Sequence, residues 1–328
     1  MRILIFGAGG YIGIPLAECL AECGHQVTAA DRYFFGKYPR GCQIMRADIR
    51  SICADPAGWT GVDAIIDLAG LSNDASAEID PDITRSINLD GAKNLATVAK
   101  QAGINRYIYS SSASVYGHGA HHDLKETDEC KPLTLYAECK LRVEDHLRSL
   151  AGAGFQPTIL RNATVFGPSK RMRFDLAVNI MTLRAWRDGV IYVMGGGEQW
   201  RPFICIDDVI AAFIHAVEDA IPGTYNIGHE NLTIKDVSKI VKEKISKVKI
   251  HSIPDDVDKR SYHIAFARAA DCGFKAKYQI RDVIPIMISM LKKGQLVDDP
   301  TCYTLQWYKS LLEWDNRLNE IRMEGRIL

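Results

Sequence analysis

Short apolar runs and stretches of helical spacing alternate through the first half of the chain. The runs "RILIF" (2–6), "QVTAA" (26–30), "CQIMRA" (42–47), "DAIIDLA" (63–69), "RYIYS" (106–110) and "FQPTILR" (155–161) contain little polar alternation. Each is short enough for a strand. A strand apolar on both faces belongs in a parallel sheet that is covered on both sides. Between them, residues 11–23, 84–102 and 134–151 space their apolar residues three and four apart, which predicts amphipathic helices. Strands alternating with helices predict an α/β fold built on a doubly wound parallel sheet.

Past residue 162 the pattern loosens. "GPSKRMRFD" (167–175) is basic and turn-rich, "GGGEQWRP" (195–202) is a glycine-rich loop, and "HSIPDDVDKRSY" (251–262) is another polar loop. These predict a smaller C-terminal α/β domain laid over the edge of the sheet. The expected division is a sheet domain over 1–165, with 202–228 returning to it, and a second domain over most of 166–328. From Pro300 onward, Leu305, Tyr308, Leu311 and Leu312 recur at helical spacing. They predict an added amphipathic helix that packs on the body or on a partner subunit, with no chemistry of its own.

Composition narrows the class. The chain has 328 residues, of which 47% are hydrophobic, and its 40 basic and 40 acidic side chains cancel. A net charge of zero removes the electrostatic case for nucleic acid or an anionic membrane as main partner. No apolar run approaches the roughly 18 residues of a membrane span. The opening "MRILIFGAGGYIG" breaks at Gly7 without a cleavage pattern, so no signal peptide is expected and the location is expected to be cytoplasmic. The nine cysteines are scattered, odd in number and never in a CxxC pair, which predicts reduced thiols. His121-His122 has no further ligand at metal spacing and reads as a solvated loop, so no metal is expected.

Candidate chemistry begins at the first turn. Gly7, Gly10 and Gly13 follow a strand and open a helix, the context in which a glycine turn lets backbone approach a pyrophosphate at the helix N-terminus. This is the Rossmann-type arrangement. Asp31, at the end of the second strand, stands where a carboxylate takes ribose hydroxyls and repels a 2′-phosphate, favouring NAD over NADP. Arg32 beside it could accept that phosphate instead. Asp48, after the third strand, could touch the adenine.

A second stretch, "YSSSASVYG" (109–117), ends a strand with three hydroxyls, and "YAECK" places Tyr136 and Lys140 one helical turn apart. A free tyrosine, with a pKa of about 10, is a poor base. A nearby ammonium and a positive nicotinamide should lower that pKa. A serine at the strand end, Ser110, Ser111 or Ser112, could bind the same substrate oxygen.

At these residues the chain resembles the extended short-chain dehydrogenases/reductases that act on nucleotide sugars, typified by UDP-galactose 4-epimerase. The resemblance covers roughly residues 1–290, through "GAGGYIG", "DLAGLSNDAS", "NLDGAKNL", "YSSSASVYG", "YAECK", "LRNATVFGP", "WRPFICIDDV" and "KRSY". The family's active-site Ser/Thr lies three residues before the Val of "VYG", which implies Ser112. The resemblance further implies that Tyr11, Ile12, Ile49, Leu68, Ala69 and Gly70 line an NAD site and that Asn88 steadies the active-site backbone. It implies substrate contacts at Ser114 and Asn179, and a diphosphate clamp from Arg201 and Arg260. A nucleoside-diphosphate sugar is the implied substrate, and a homodimer the implied assembly. Two departures, Thr164 and Cys205, fall where the family meets its sugar. The dehydratases and decarboxylases of this family carry Glu two residues after the Ser/Thr; Ala113 and Ser114 stand here. The implied reaction is therefore C4 epimerisation through a transient ketone. A 4-keto-sugar reductase is the alternative, and a dehydratase or a non-catalytic dinucleotide sensor stands behind it.

Overall fold

The computed structural model describes residues 1–52, 59–254 and 260–322. Its first seven strands are β1 (Arg2–Phe6), β2 (Gln26–Asp31), β3 (Gln43–Arg46), β4 (Ala64–Asp67), β5 (Arg106–Ser112), β6 (His118–Leu124) and β7 (Gln156–Asn162). There follow β8 (Thr164–Phe166), β9 (Val190–Met194), β10 (Trp200–Cys205), β11 (Gly223–Ile227), β12 (Glu230–Thr233), β13 (Lys249–Ile253) and β14 (Ser261–Ile264). Seven of them make one sheet in the order β11-β7-β5-β4-β1-β2-β3, parallel throughout. The order reverses direction between β1 and β4. In open α/β sheets the crevice outside the strands' carboxyl ends at such a point is where ligands bind.

The lack of alternation in the strand sequences has a direct cause. Along β1, Ile3 and Ile5 join the apolar cluster on one face, packed with Leu16, Leu20, Val209 and Phe213. Leu4 and Phe6 join the cluster on the other face with Leu95, Ala96, Val143 and Leu147. Each fully buried aliphatic side chain of this kind contributes about 1.5–3 kcal/mol.

A second layer stands over the carboxyl ends. There β10 pairs in parallel with β8 and antiparallel with β12, β13 pairs with β9, and β14 with β6. The apolar cluster under β1 continues without a break to Val237, Ile240, Val283 and Met287 of this layer.

Three elements differ from their sequence reading. The helix expected over 84–102 is broken into Pro81–Arg85, a wider π-type turn over Ser86–Gly91, and Ala92–Gln101. That turn carries Asn88, and such turns recur at functional sites. The polar stretch 251–262 begins in β13 and ends in β14, with 255–259 outside the described residues. His121 and His122 fall in β6, not a loop, and their side chains lie outside the described residues. Among the described residues, no helix is long and apolar enough to cross a membrane.

The tail forms the helix Thr304–Ile321. Its first turns pack on the body: the Trp307 indole donates to the Phe34 carbonyl at 2.8 Å, and the Tyr308 ring meets Phe34 and Phe35 at 6.2 and 5.7 Å. Leu312, Trp314, Leu318 and Ile321 beyond them are exposed.

Candidate active site

One cleft of about 830 Å³ runs along the carboxyl ends of the sheet, from Asp31 at one end to Arg260 at the other. Its floor is the glycine turn. Gly7 has φ of +82°, and a β-carbon there would stand 2.6 Å from the Leu68 carbonyl carbon. A β-carbon on Gly13 would collide with the Gly7 carbonyl, so the helix Gly13–Glu22 can start against the strand only without one. Gly10, Tyr11, Ile12, Ile49, Leu68, Ala69 and Gly70 line the same floor. Asn88 lies behind it. Its side chain accepts from the Leu71 amide at 2.8 Å and donates to the Leu71 carbonyl at 3.0 Å, which fixes the chain just after Gly70.

At the far end, the Asp31 carboxylate accepts the backbone N–H of Gly9 at 3.0 Å and of Tyr33 at 2.5 Å. Burial pushes its pKa up, while these amides and Arg171 hold it down. Arg32 is turned aside: its guanidinium bonds Asp48 at 3.0 Å and lies over the Phe34 ring. Asp48 also takes Arg50 at 2.6 Å, and these bonds, Arg50 foremost, hold its carboxyl down at about 2.

The three serines at the end of β5 have three different partners. Ser110 Oγ accepts from Asn162 at 3.1 Å, and its carbonyl accepts from Lys140 Nζ at 2.7 Å. Ser111 donates to Glu144 at 2.5 Å in the interior. Ser112 faces the cleft, where its oxygen accepts from Ser114 Oγ at 2.9 Å and shares a side-chain hydrogen bond with Tyr136. Tyr136 and Lys140 sit in the first turns of the helix Leu135–Leu150, capped by Thr134, whose Oγ1 accepts the Ala137 amide at 3.3 Å. Lys140 Nζ lies 5.8 Å from the centre of the Tyr136 ring.

Burial pushes the Tyr136 phenol well up; Asp74 adds to the rise, while Arg173 and Ser112 oppose it. Desolvation of the phenolate outweighs the charges that favour it. Burial also pushes Lys140 down to about 8, against the charge of Asp67. Asp67, buried at the end of β4, is pushed up to about 6 by burial, with Lys140 and the Tyr107 hydroxyl at 2.9 Å lowering it.

The family model of the NAD-dependent epimerases and dehydratases matches residues 3–228, the stretch that builds this floor and the Ser/Tyr/Lys wall. The chain belongs to that family. Among the relatives, UDP-glucuronic acid decarboxylase 1 of Arabidopsis thaliana is 26% identical over 317 residues, covering 91% of this chain and 72% of its own. The UDP-glucose 4-epimerase of Thermotoga maritima, solved with UDP-glucose, superposes with a TM-score of 0.80 at 24% identity. That match covers 90% of this chain and all of the epimerase. MoeE5, solved with UDP-glucose and NAD, superposes with a TM-score of 0.78 at 25% identity, over 90% of this chain and all of its own. Members of the family are NAD-dependent enzymes of the extended short-chain dehydrogenase type, and NAD is the cofactor. The glycine turn opening the helix Gly13–Glu22, which lines the cleft, fits a dinucleotide phosphate.

Within this epimerase/dehydratase chain, the second layer brings Arg201 and Arg260 to the opposite wall of the cleft. Arg201 donates to the carbonyls of Trp200, at 2.7 Å, and of Arg260, while the Arg260 guanidinium pairs with Asp74. Thr164 and Ser114 line the cleft as well. Two residues do not. Asn179 is fully buried: it accepts from Gly167 at 3.0 Å and donates to Tyr11 Oη at 3.1 Å and to the Arg173 carbonyl at 2.9 Å. Its hydrogen-bonding capacity goes to holding the loop 167–173 against the glycine turn, so the expected sugar contact is corrected to an internal one. Cys205 is likewise buried off the cleft, its thiol pushed up to about 12 by burial. Sequence reasoning missed Arg171, Arg173 and Tyr308, all of which line the cleft. The signal was there in the unassigned basic stretch "KRMRFD".

Proposed function

We propose that this protein is a nucleotide-sugar 4-epimerase that works through a transient 4-keto sugar. The observation that carries this reading is where the acids stand. Among the described residues, the carboxylates lining the cleft are Asp31, Asp48 and Asp74. The first two are at the Arg32 end, and Asp74 is held by Arg260 and by the Thr134 hydroxyl. Position 114, beside the hydroxyls, carries a serine bonded to Ser112. Elimination of water needs a free acid/base near C5 and C6; position 114 offers a hydroxyl, and Asp74, whose charge reaches Tyr136, is engaged by Arg260 and Thr134.

In this reading the glycine turn and Asp31 would hold NAD, which would supply reversible hydride transfer at C4 and a positive charge favouring the Tyr136 phenolate. Tyr136 Oη takes the proton of the C4 hydroxyl and gives it back. Ser112 Oγ holds the same oxygen, and Lys140 adds positive charge behind the phenol. Arg201 and Arg260 serve the diphosphate, for which a guanidinium fork is suited. The similarity to decarboxylases supports a second reading, loss of carbon dioxide from a uronic acid after the same oxidation.

Incubation with UDP-, GDP-, CDP- and dTDP-sugars, UDP-glucuronic acid included, should yield an isomer of unchanged mass by chromatography and mass spectrometry. A product lighter by one water, or by carbon dioxide, would replace the epimerase with a dehydratase or decarboxylase. Consumption of NAD(P)H with substrate would identify a reductase.

The Asp31 carboxylate and the diverted Arg32 also set the cofactor preference. NAD is expected to bind at least about tenfold more tightly than NADP, a difference of roughly 1.4 kcal/mol. Titration calorimetry with both cofactors checks this, and equal affinities would count against Asp31 as the discriminator.

A further inference from the structure

The basic loop 167–175 holds a buried cation that the chain itself leaves underused. Arg171 is 3% exposed and lines the cleft, yet among the described residues its Nε has no hydrogen-bond partner. Nη2 donates to Thr304 Oγ1 at 2.8 Å, and the guanidinium lies 3.7 Å over the Phe35 ring. Neighbouring Arg173 differs: Asp175 takes its Nε at 2.9 Å and its Nη2 at 3.0 Å, and Ser72 its Nη1. Burial, and then repulsion from Arg173, push Arg171 down to about 10. A buried charge without an ionic partner is costly, and it persists where an anion completes it.

The loop's position says which anion. Ser169 Oγ donates to the Tyr11 carbonyl at 2.8 Å, Tyr11 Oη donates to the Gly167 carbonyl at 2.6 Å, and Lys170 pairs with Glu18. These bonds staple the loop beside the glycine turn. Arg171, two residues on from Ser169, faces the same cleft as Gly10 and Ile12 and acts on Asp31. We propose that Arg171 binds the phosphate oxygens of the dinucleotide's diphosphate from the side opposite the glycine turn, braced from behind by Thr304 of the C-terminal helix. The tail is then part of the cofactor site and no mere appendage. The proposal rests on the cleft holding NAD, and it does not depend on which sugar is transformed.

The test uses the full chain and reads cofactor affinity, which leaves the epimerase reading to its own assay. In Arg171→Met, the dissociation constants for NAD and for ADP-ribose should rise about ten- to hundredfold, as for loss of a charged hydrogen bond. Adenosine, which lacks the diphosphate, should bind as in wild type. Without nucleotide, the variant should melt no lower than wild type, because an uncompensated buried charge has been removed. Arg171→Gln, with a donor but no charge, should fall between the two. Unchanged NAD affinity in either variant would overturn the proposal. So would equal weakening of adenosine, which would make Arg171 a support of the adenosine pocket. Weakening confined to NADP would move Arg171 to the 2′-phosphate and also overturn it.

Discussion

Replacing Tyr136 by phenylalanine should cut turnover by about 10²- to 10⁴-fold, the usual worth of a positioned general base. Only one oxygen is lost. The phenyl ring keeps its place in the first turns of the helix Leu135–Leu150 and its approach to Lys140. The hydrogen bond to Ser112 goes, and with it the atom proposed to take the C4 proton. The loss of one hydroxyl and its bond to Ser112 costs the fold only about 1 kcal/mol. Melting temperature and NAD titration should therefore match wild type while the rate collapses. A purified variant turning over at near wild-type speed would end the assignment of Tyr136 as base.

The largest effect on stability is expected at a residue outside the cleft. Glu144 is fully buried, and its carboxylate takes Arg161 Nε at 3.0 Å and Nη2 at 2.7 Å, Ser111 at 2.5 Å and Arg148 at 2.5 Å. Arg161 itself is 2% exposed and continues through Tyr116 Oη, at 2.8 Å, to Asn226 of β11. Replacing Glu144 by leucine leaves that guanidinium buried without its counter-ion. Breaking such a pair from one side costs about 3–5 kcal/mol. The double variant Glu144→Leu/Arg161→Met should recover most of the loss, since neither charge is then stranded. Urea denaturation of the three proteins measures this. A single variant losing under about 1 kcal/mol would show that Arg161 finds another partner.

Much of the site was legible because its chemistry is written locally. The glycine turn, the strand-end serines and the Tyr/Lys pair each occupy one element, so spacing carries the geometry. The choice of Ser112 over Ser111 was legible only by resemblance. Its physical cause, the Glu144 carboxylate under Ser111, comes from 33 residues away. Asn179 was misread for the same reason, since its partners include Tyr11, 168 positions distant. Motif position names a residue type, whereas the direction of a side chain depends on what the rest of the chain packs around it. A spacing shows the lysine beside Tyr136 but not the burial that raises the phenol's pKa. Arg171 was passed over because a basic stretch in a turn-rich segment looks like solvated surface until a distant helix covers it.

The edge strand β11 has a consequence for how the chain is born. It pairs in parallel with β7 in the register Gly223↔Thr158 to Ile227↔Asn162, so β7 lacks a partner on that side until the ribosome has added the intervening segment. At roughly 5–20 residues per second, the outer side of β7 stays without a partner strand for several seconds while its inner side pairs with β5. An edge of that kind is a template for pairing with other nascent chains. Slower synthesis through β8, β9 and β10 should then lower the yield of soluble protein.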